Sequence, residues 1–280
     1  MTQQTWFVTG TSTGFGKSLA TLLATKDDVN LVATARKTEQ LDYLDQYDHG
    51  QILRLKLDVT NPDEIAASVK AAQERFEGID VLVNNAGLGY FGTFEESDEK
   101  TVRYMFDVNV WGLVDMTRAV LPLMRAKRSG IIVNFSSVGG LCSFPTLSFY
   151  HGTKYAVEGL SESLSQEVSA SGIKVLIVEP SGFRTDWAGR SSAKKEPEIE
   201  DYKQFADFIQ SNATGAHHEA GDPDKAAEII YDQVAHHTES LPLRLPLGKF
   251  ANDAATKKFK DNLELFGQLK DLSESADQPE

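Results

Sequence analysis

Residues 5–18 read TWFVTGTSTGFGKS: a short apolar run, then a turn with three glycines, then a lysine and a serine. An apolar strand entering a glycine-rich turn and leaving as a helix is the local plan of a phosphate-binding loop. Two such loops lead to different proteins. A Walker A loop needs G-x-x-x-x-G-K-[S/T], and counting back from Gly16 puts Thr11 where its first glycine must stand; Gly10 is one residue early. The spacing here is Gly10-x-x-x-Gly14-x-Gly16. It is also not the common G-x-G-x-x-G dinucleotide fingerprint, but the physics is shared. Glycines let backbone approach phosphate, and the helix start offers free N–H groups and a positive dipole end. A tight strand-to-helix turn also uses glycine for purely structural reasons, so the loop alone leaves both readings open.

Outward from this loop, short apolar runs recur: WFV (6–8), LVATA (31–35), ILRLKL (52–57), VLVN (81–84), IIVNF (131–135) and VLIV (175–178). Each has the length and composition of a strand covered on both faces. Helix-length segments lie between them, at 16–25, 62–76, 98–127 and 150–171. Asn61-Pro62 supplies an N-cap with proline at the first helical position. Strands alternating with helices imply parallel pairing through right-handed crossovers. The expected fold class is therefore α/β, a doubly wound parallel sheet of about seven strands with helices on both faces. No repeat or linker divides the chain, so residues 1–270 are expected to form one Rossmann-type domain. Residues 183–222 interrupt the rhythm with mixed charge and scattered aromatics, the mark of a functional insertion over a site. Asp222-Pro223 opens a further helix to about His237, LPLRLPLG (241–248) reads as a last strand, and 271–280 as a frayed acidic tail.

Composition narrows the function classes. A net charge of −13 argues against a nucleic-acid footprint or a polybasic membrane anchor. The single cysteine, Cys142, forms no intrachain disulfide, which suits a reducing, cytoplasmic setting. No apolar run reaches the length of a membrane span, and no basic n-region or apolar h-region stands before the first strand, so neither spanning nor secretion is expected. Adjacent histidines at 217–218 and 236–237 diverge on a helix and lack further ligands, so no metal site is expected. His236 and His237 instead suit a helix C-terminus.

Four motifs now fall in order. TGxxxGxG follows the first strand; Asn84-Asn85-Ala86-Gly87 ends the fourth; Asn109-Val110-x-Gly112 lies in the 98–127 helix. Ser137 stands thirteen residues before Tyr150, and Tyr150-x-x-x-Lys154 completes the pattern. Together they resemble the short-chain dehydrogenase/reductase family over about residues 5–248. The resemblance implies hydride transfer between a nicotinamide dinucleotide and a carbonyl or secondary alcohol, in a homo-dimer or homo-tetramer paired through the 98–127 and 150–171 helices. The run from Ser136 to Leu160 looks most like hydroxysteroid- and retinol-type members. By the same resemblance Asn109, Ser137, Tyr150 and Lys154 form the catalytic set. Cofactor contacts fall on Gly10, Ser12, Thr13, Gly14, Phe15, Gly16, Arg36, Asp58, Val59, Asn85, Ala86, Gly87, Tyr150, Lys154, Pro180, Gly182 and Thr185. Asn109 is implied to anchor a relay water beside Lys154, and Lys154 to hold the nicotinamide ribose.

The residues also speak for themselves. A carboxylate at the end of the second strand would accept from a ribose 2′-OH and repel a 2′-phosphate. Here the strand ends Ala35-Arg36-Lys37, and Arg36 offers a charge-assisted fork to phosphate. NADPH/NADP+ is thus the expected cofactor, with NAD(H) retained if Arg36 merely stacks on adenine. Lys17 and Lys37 add positive potential or are simply solvated; Asp58 is implied by the resemblance to contact adenine, and read alone it caps its strand end. Tyr150 and Lys154 share a helix face at i and i+4. A free tyrosine titrates near ~10, and a neighbouring ammonium, helped by an oxidised nicotinamide's charge, is expected to lower that value, fitting Tyr150 for general acid–base work. Ser137 would position the substrate oxygen, with Ser136 on the opposite face of the strand. His151 is expected to be structural and Cys142 an inert thiol. Phe91, Phe94, Phe144, Leu147 and Trp187 are candidates for an apolar substrate pocket. One departure stands out: Pro180-Ser181-Gly182 carries serine where the family has glycine, which leaves the turn and the Thr185 contact open. A dinucleotide-binding redox sensor without turnover is the rival reading, although a sensor needs no Ser–Tyr–Lys–Asn set.

Overall fold

In the computed structural model, which describes residues 3–214 and 218–278, the apolar runs are parallel strands of one sheet. In chain order the strands are β1 (Gln4–Val8), β2 (Val29–Ala35), β3 (Ile52–Lys56), β4 (Val81–Asn84), β5 (Gly89–Phe91), β6 (Gly130–Phe135), β7 (Ile173–Pro180), β8 (Ser192–Lys194) and β9 (Arg244–Leu247). The helices are α1 (Gly14–Ala24), α2 (Pro62–Phe76), α3 (Glu99–Phe106), α4 (Leu113–Lys127), α5 (Ser148–Ser169), α6 (Ala206–Thr214), α7 (Pro223–His236), α8 (Lys249–Gln268) and α9 (Lys270–Glu274). Seven strands pair in the order β3-β2-β1-β4-β6-β7-β9. The winding direction reverses between β1 and β4, which opens a crevice at the carboxyl ends of those two strands.

Successive residues of a strand face opposite sides of a sheet, and the two apolar cores follow that rule. Trp6, Val8, Leu31, Ala33, Val81, Val83 and Val133 pack under α1 and α7. Phe7, Val32, Leu82, Ile132 and Val175 pack under α2, α4 and α5. Strands covered on both sides must be apolar at every position, which is why the sequence shows runs and not alternation. Helix starts follow their caps. Asn61 Oδ1 accepts from Asp63 N (3.0 Å) and Glu64 N (3.3 Å). Asp98 caps α3 at Thr101 N (2.8 Å), and Asp222 caps α7 ahead of Pro223.

Four local features depart from the sequence reading. The 98–127 helix is interrupted by a π turn, Asp107–Gly112, which places Asn109. Beyond the seven expected strands, β5 and β8 form a separate parallel pair, tying the 183–222 insertion to the segment after β4. The insertion also carries α6, and its ends close on each other: Phe183 bridges Gly221, and Arg184 pairs with Asp222 (3.3 Å). Finally, α8 follows β9 where no helix was expected, and α9 is formed through Glu274, within the predicted frayed tail.

Candidate active site

The glycine loop joins β1 to α1 at the crevice, and contact distances explain its composition. Gly10 has φ +70, and a Cβ there would lie 2.9 Å from Ala86 Cα. A Cβ on Gly16 would lie 2.3 Å from Gly10 O and 2.4 Å from Asn85 Nδ2. No side chain fits either position. Asn85 braces the loop by donating from Nδ2 to Thr9 O and Gly10 O, both at 2.9 Å. The signal that put Asn85 among the cofactor contacts therefore also reports a structural duty. Thr13 is the N-cap of α1 yet makes no side-chain cap bond, and the first turn holds no acid. The helix start thus keeps N–H groups and a positive dipole end for an anion.

A cleft of about 550 Å³ runs from this loop across the carboxyl ends of the sheet. Every predicted cofactor residue except Gly16 lines it: Gly10, Ser12, Thr13, Gly14, Phe15, Arg36, Asp58, Val59, Asn85, Ala86, Gly87, Tyr150, Lys154, Pro180, Gly182 and Thr185. Gly16 acts from beneath, by its missing side chain. At one end Arg36 is exposed beside Gln40 and makes no ion pair among the described residues. Lys17 instead lies over the Tyr43 ring at 4.8 Å, and neither Lys17 nor Lys37 lines the cleft. Asp58 caps its strand end, accepting from Thr60 N (3.0 Å) and Thr60 Oγ1 (2.7 Å), and also borders the cleft. An exposed guanidinium at one end and an uncapped helix start behind a glycine-bearing loop form a set of donors suited to a dinucleotide's phosphates.

At the other end, α5 brings up Tyr150 and Lys154, and the β6 end brings up Ser137. The Ser137 hydroxyl donates to Pro180 O (3.4 Å), accepts from Gly139 N (3.0 Å) and lines the cleft with Tyr150. Lys154 Nζ donates to Phe135 O (2.8 Å) and lies 5.7 Å from the Tyr150 ring centre. Burial dominates both groups. It pushes the Tyr150 phenol up to about 12, against the pull of the Ser137 hydroxyl, and Lys154 down to about 8, against the charge of Glu158. The lowering expected from Lys154 together with an oxidised nicotinamide's charge is not produced by the protein alone: desolvation outweighs the Ser137 hydroxyl, and the phenol is held as a neutral acid. Asn109 Oδ1 accepts from Leu88 N (2.7 Å), while Nδ2 donates to Leu88 O (2.8 Å) and Thr153 Oγ1 (3.1 Å). A Cβ on Gly87 would sit 3.4 Å from Asn109 Oδ1 and 3.9 Å from Lys154 Nζ, so both atoms face the same spot.

His151 has a structural position. Gly139 O can only accept, so Nδ1 donates to it (2.8 Å); Phe144 N can only donate, so Nε2 accepts from it (2.8 Å). The ring is therefore neutral with a fixed tautomer, and burial holds its pKa below the ordinary value. Ser136 Oγ is buried near Glu158 and is not the partner of Tyr150. Ser181 needs no glycine: neither 181 nor 182 has positive φ, and Ser181 Oγ faces Gly248. Thr185 stands across from Gly14, and Gly182 faces Glu219.

The pocket beyond Tyr150 is partly the one predicted. Phe144, Leu147 and Trp187 line it, with the Trp187 ring 4.7 Å from that of Tyr150. Phe91 is fully buried behind Trp187, and Phe94 is 71% exposed and stacked on Phe149. Both lie outside the cleft, because β5 pairs with β8 and turns Phe91 into the small core there. Cys142 is buried against Leu141 and Ala255, away from the cleft, with its thiol pushed up by burial. Sequence reasoning missed Tyr104, Phe208 and Phe250 in the wall. Nothing local marks them: Tyr104 comes from α3, and only the return of the insertion and of α8 brings Phe208 and Phe250 here. Among the described residues no three His, Cys, Asp or Glu side chains cluster to hold a metal. His236 packs edge-on to Tyr231, His237 pairs with Asp232 at 3.3 Å, and His217 lies outside the described residues.

Comparison with known proteins follows the same outline. A family model described as short chain dehydrogenase matches residues 4–196. Oxidoreductase calM of Penicillium decumbens is 38% identical over 286 residues, covering 96% of this chain and 91% of that protein. The 3-ketodihydrosphingosine reductase of Bacteroides thetaiotaomicron is 37% identical over 203 residues, 72% of each. A solved short-chain dehydrogenase from Streptomyces avermitilis superposes with a TM-score of 0.89 at 38% identity, over 99% of this chain and 100% of that one.

Proposed function

We propose, from the premise that this chain belongs to the short-chain dehydrogenase family, that it reduces a carbonyl compound, or oxidises the matching secondary alcohol, with NADP(H). The chain is an oxidoreductase of a family that works with nicotinamide dinucleotides. When bound, the dinucleotide supplies or accepts the hydride. The observation that carries our reading is that Ser137, Tyr150 and, one helical turn on, Lys154 line the same cleft as the glycine loop.

The residues divide the work. The glycine loop and the α1 start hold phosphate, Asp58 and Val59 flank the adenine end, and Thr185 and Gly182 border the nicotinamide end. Arg36, free of any ion pair among the described residues, favours NADP(H) through a 2′-phosphate. Ser137 fixes the substrate oxygen against Tyr150. Tyr150, kept protonated by its burial, gives that proton to the oxygen of the reduced carbonyl. Lys154 then restores the phenol's proton, and Asn109, clamped by Leu88, keeps the route open beside Gly87. Because Lys154 is held at about 8, reduction weakens as pH rises through that value and the ammonium is lost.

Tyr104, Phe144, Leu147, Trp187, Phe208 and Phe250 give the pocket an apolar wall, which supports a bulky apolar substrate. Trp111 (55%), Tyr155 (43%) and Leu160 (44%) stand exposed on the α3–α4 segment and α5, supporting a homo-oligomer paired there. Tyr150→Phe tests the core of the reading. Consumption of NADPH on a panel of ketones should fall by about 10²- to 10⁴-fold, the weight of general acid catalysis, with NADPH affinity changed only a few-fold. Turnover retained within tenfold would reject the role of Tyr150.

A further inference from the structure

One face of α5 continues past the site. Tyr150, Lys154, Glu158 and Glu162 follow at i, i+4, i+8 and i+12, so they stack along one side of the helix. The first two belong to the cleft. Glu158 lies below them with its side chain only 7% exposed, in a place where an acid is costly. Arg244 of β9 reaches it from the sheet side, pairing through Nη1 with Glu158 Oε2. The same guanidinium takes Glu179 of β7 at 2.9 Å and Glu162 at 2.7 Å.

Anchoring Arg244 does not require Glu158. Two carboxylates already hold that guanidinium, and one of them, Glu179, is itself only 1% exposed. A third acid added to a buried cluster raises the charge imbalance unless another cation compensates it. The compensating cation is Lys154, one turn up the helix, and Glu158 is the charged group that acts on it. Burial and Glu158 push Glu179 well above the usual carboxylate range, and three acids, Glu158, Glu162 and Glu179, share two cations, Arg244 and Lys154. Arg244 occupies one oxygen of Glu158. Oε1 is buried facing Gly140, where a Cβ would come within 2.9 Å of it and 2.6 Å of Ser136 Oγ. The absent side chain at Gly140 is what lets the carboxylate stand this close to the β6 end.

We propose that Glu158 is a positioning residue: its buried carboxylate, fixed by Arg244, keeps the Lys154 side chain charged and extended between Phe135 O and Tyr150. Arg244 and Glu179 set the strength of that hold, Arg244 by drawing off part of the charge and Glu179 by supplying or withholding its own. The charged groups facing Lys154 and Glu158 are thus Glu158 and Glu162 on α5, Glu179 on β7 and Arg244 on β9, with the phenol of Tyr150 above. As a device for catalysis this rests on the reductase reading; as a statement about Lys154 it does not.

The test is Glu158→Gln, read two ways. In the full chain without cofactor or substrate, the Lys154 amine is titrated by NMR on lysine-labelled protein. Its midpoint should fall by roughly one pH unit in the variant, the effect of removing one opposite charge at this range, and should stay put in Glu162→Gln, whose side chain is half exposed. With NADPH and a ketone that the wild type reduces, kcat at pH about 7.5 should drop about threefold, since that shift leaves a third as much ammonium. KM should stay within twofold, and the loss should vanish near pH 6. An unmoved Lys154 midpoint overturns the proposal, as does a kcat loss that acid does not restore. If Glu158→Gln fails to fold, Glu158→Gln combined with Arg244→Met removes the Glu158–Arg244 pair as a unit and should still lower the Lys154 midpoint. A wild type that reduces no carbonyl compound rejects the reductase reading alone, and the NMR midpoint still decides the effect on Lys154.

Discussion

Arg36 shows what a single residue yields to sequence reading and what it does not. Its place at the end of β2, with no acid beside it, was legible from the order Ala35-Arg36-Lys37. That it stands exposed at the cleft while Lys17 lies on the Tyr43 ring was not, since both are simply cations in a row of letters. Arg36→Ala should lower the ratio of kcat/KM for NADPH over NADH by about tenfold or more, the weight of one charge-assisted contact of about 1.5–3 kcal/mol. An unchanged ratio removes Arg36 from cofactor choice. Tyr150 and Lys154 teach the complementary lesson. Their i, i+4 spacing identified them, yet the direction of the phenol's shift depends on enclosure by Trp187, Leu147 and Phe144, which no spacing encodes.

At the scale of the element, α5 does more than carry the reactive pair. His151 ties the helix to the 139–144 turn by two bonds that require a neutral ring, because a protonated Nε2 cannot accept from Phe144 N. The sign of the pH effect follows. The folded-state pKa lies below the unfolded value, so the unfolded chain binds more protons in that window. Stability from this group is complete above about 6.5 and is lost as pH falls below it. Urea unfolding between pH 5 and 8 should therefore show a steeper acid loss in the wild type than in His151→Gln. Equal slopes would place the acid sensitivity elsewhere. Among the elements, the long apolar strands and the capped helices were readable because burial on both faces and Asn61-Pro62 or Asp222-Pro223 leave local marks. The three-residue β5 and β8 have too few residues for any period. The π turn at Asp107–Gly112 differs from an α-helix only in one bond per turn, and α8 buries only Ala251 and Ala255, so neither leaves a distinct pattern.

For the molecule as a whole, alternation of strand and helix was enough to give the doubly wound sheet, and the reversal between β1 and β4 fixes where the cleft must open. What sequence could not supply is the cover. The family match ends at residue 196, while Phe208 and Phe250 of the pocket wall come from beyond it. The exposed face holding Trp111, Tyr155 and Leu160 belongs to this scale too. Light scattering should give a mass that is a multiple of the monomer, and Trp111→Glu should drive it toward the monomer. A wild type that runs as a monomer at micromolar concentration would remove the proposed pairing.

The contact between Trp187 and Tyr150 gives the protein an optical handle. Its three indoles sit in three settings: Trp6 sealed in the core, Trp111 out in solvent, and Trp187 at the mouth of the cleft against the phenol. A molecule entering the cleft perturbs the emission of Trp187 while the other two supply a constant background. Occupancy is then readable as fluorescence quenching even for a compound that is never turned over, and a Trp187→Phe chain serves as the dark control.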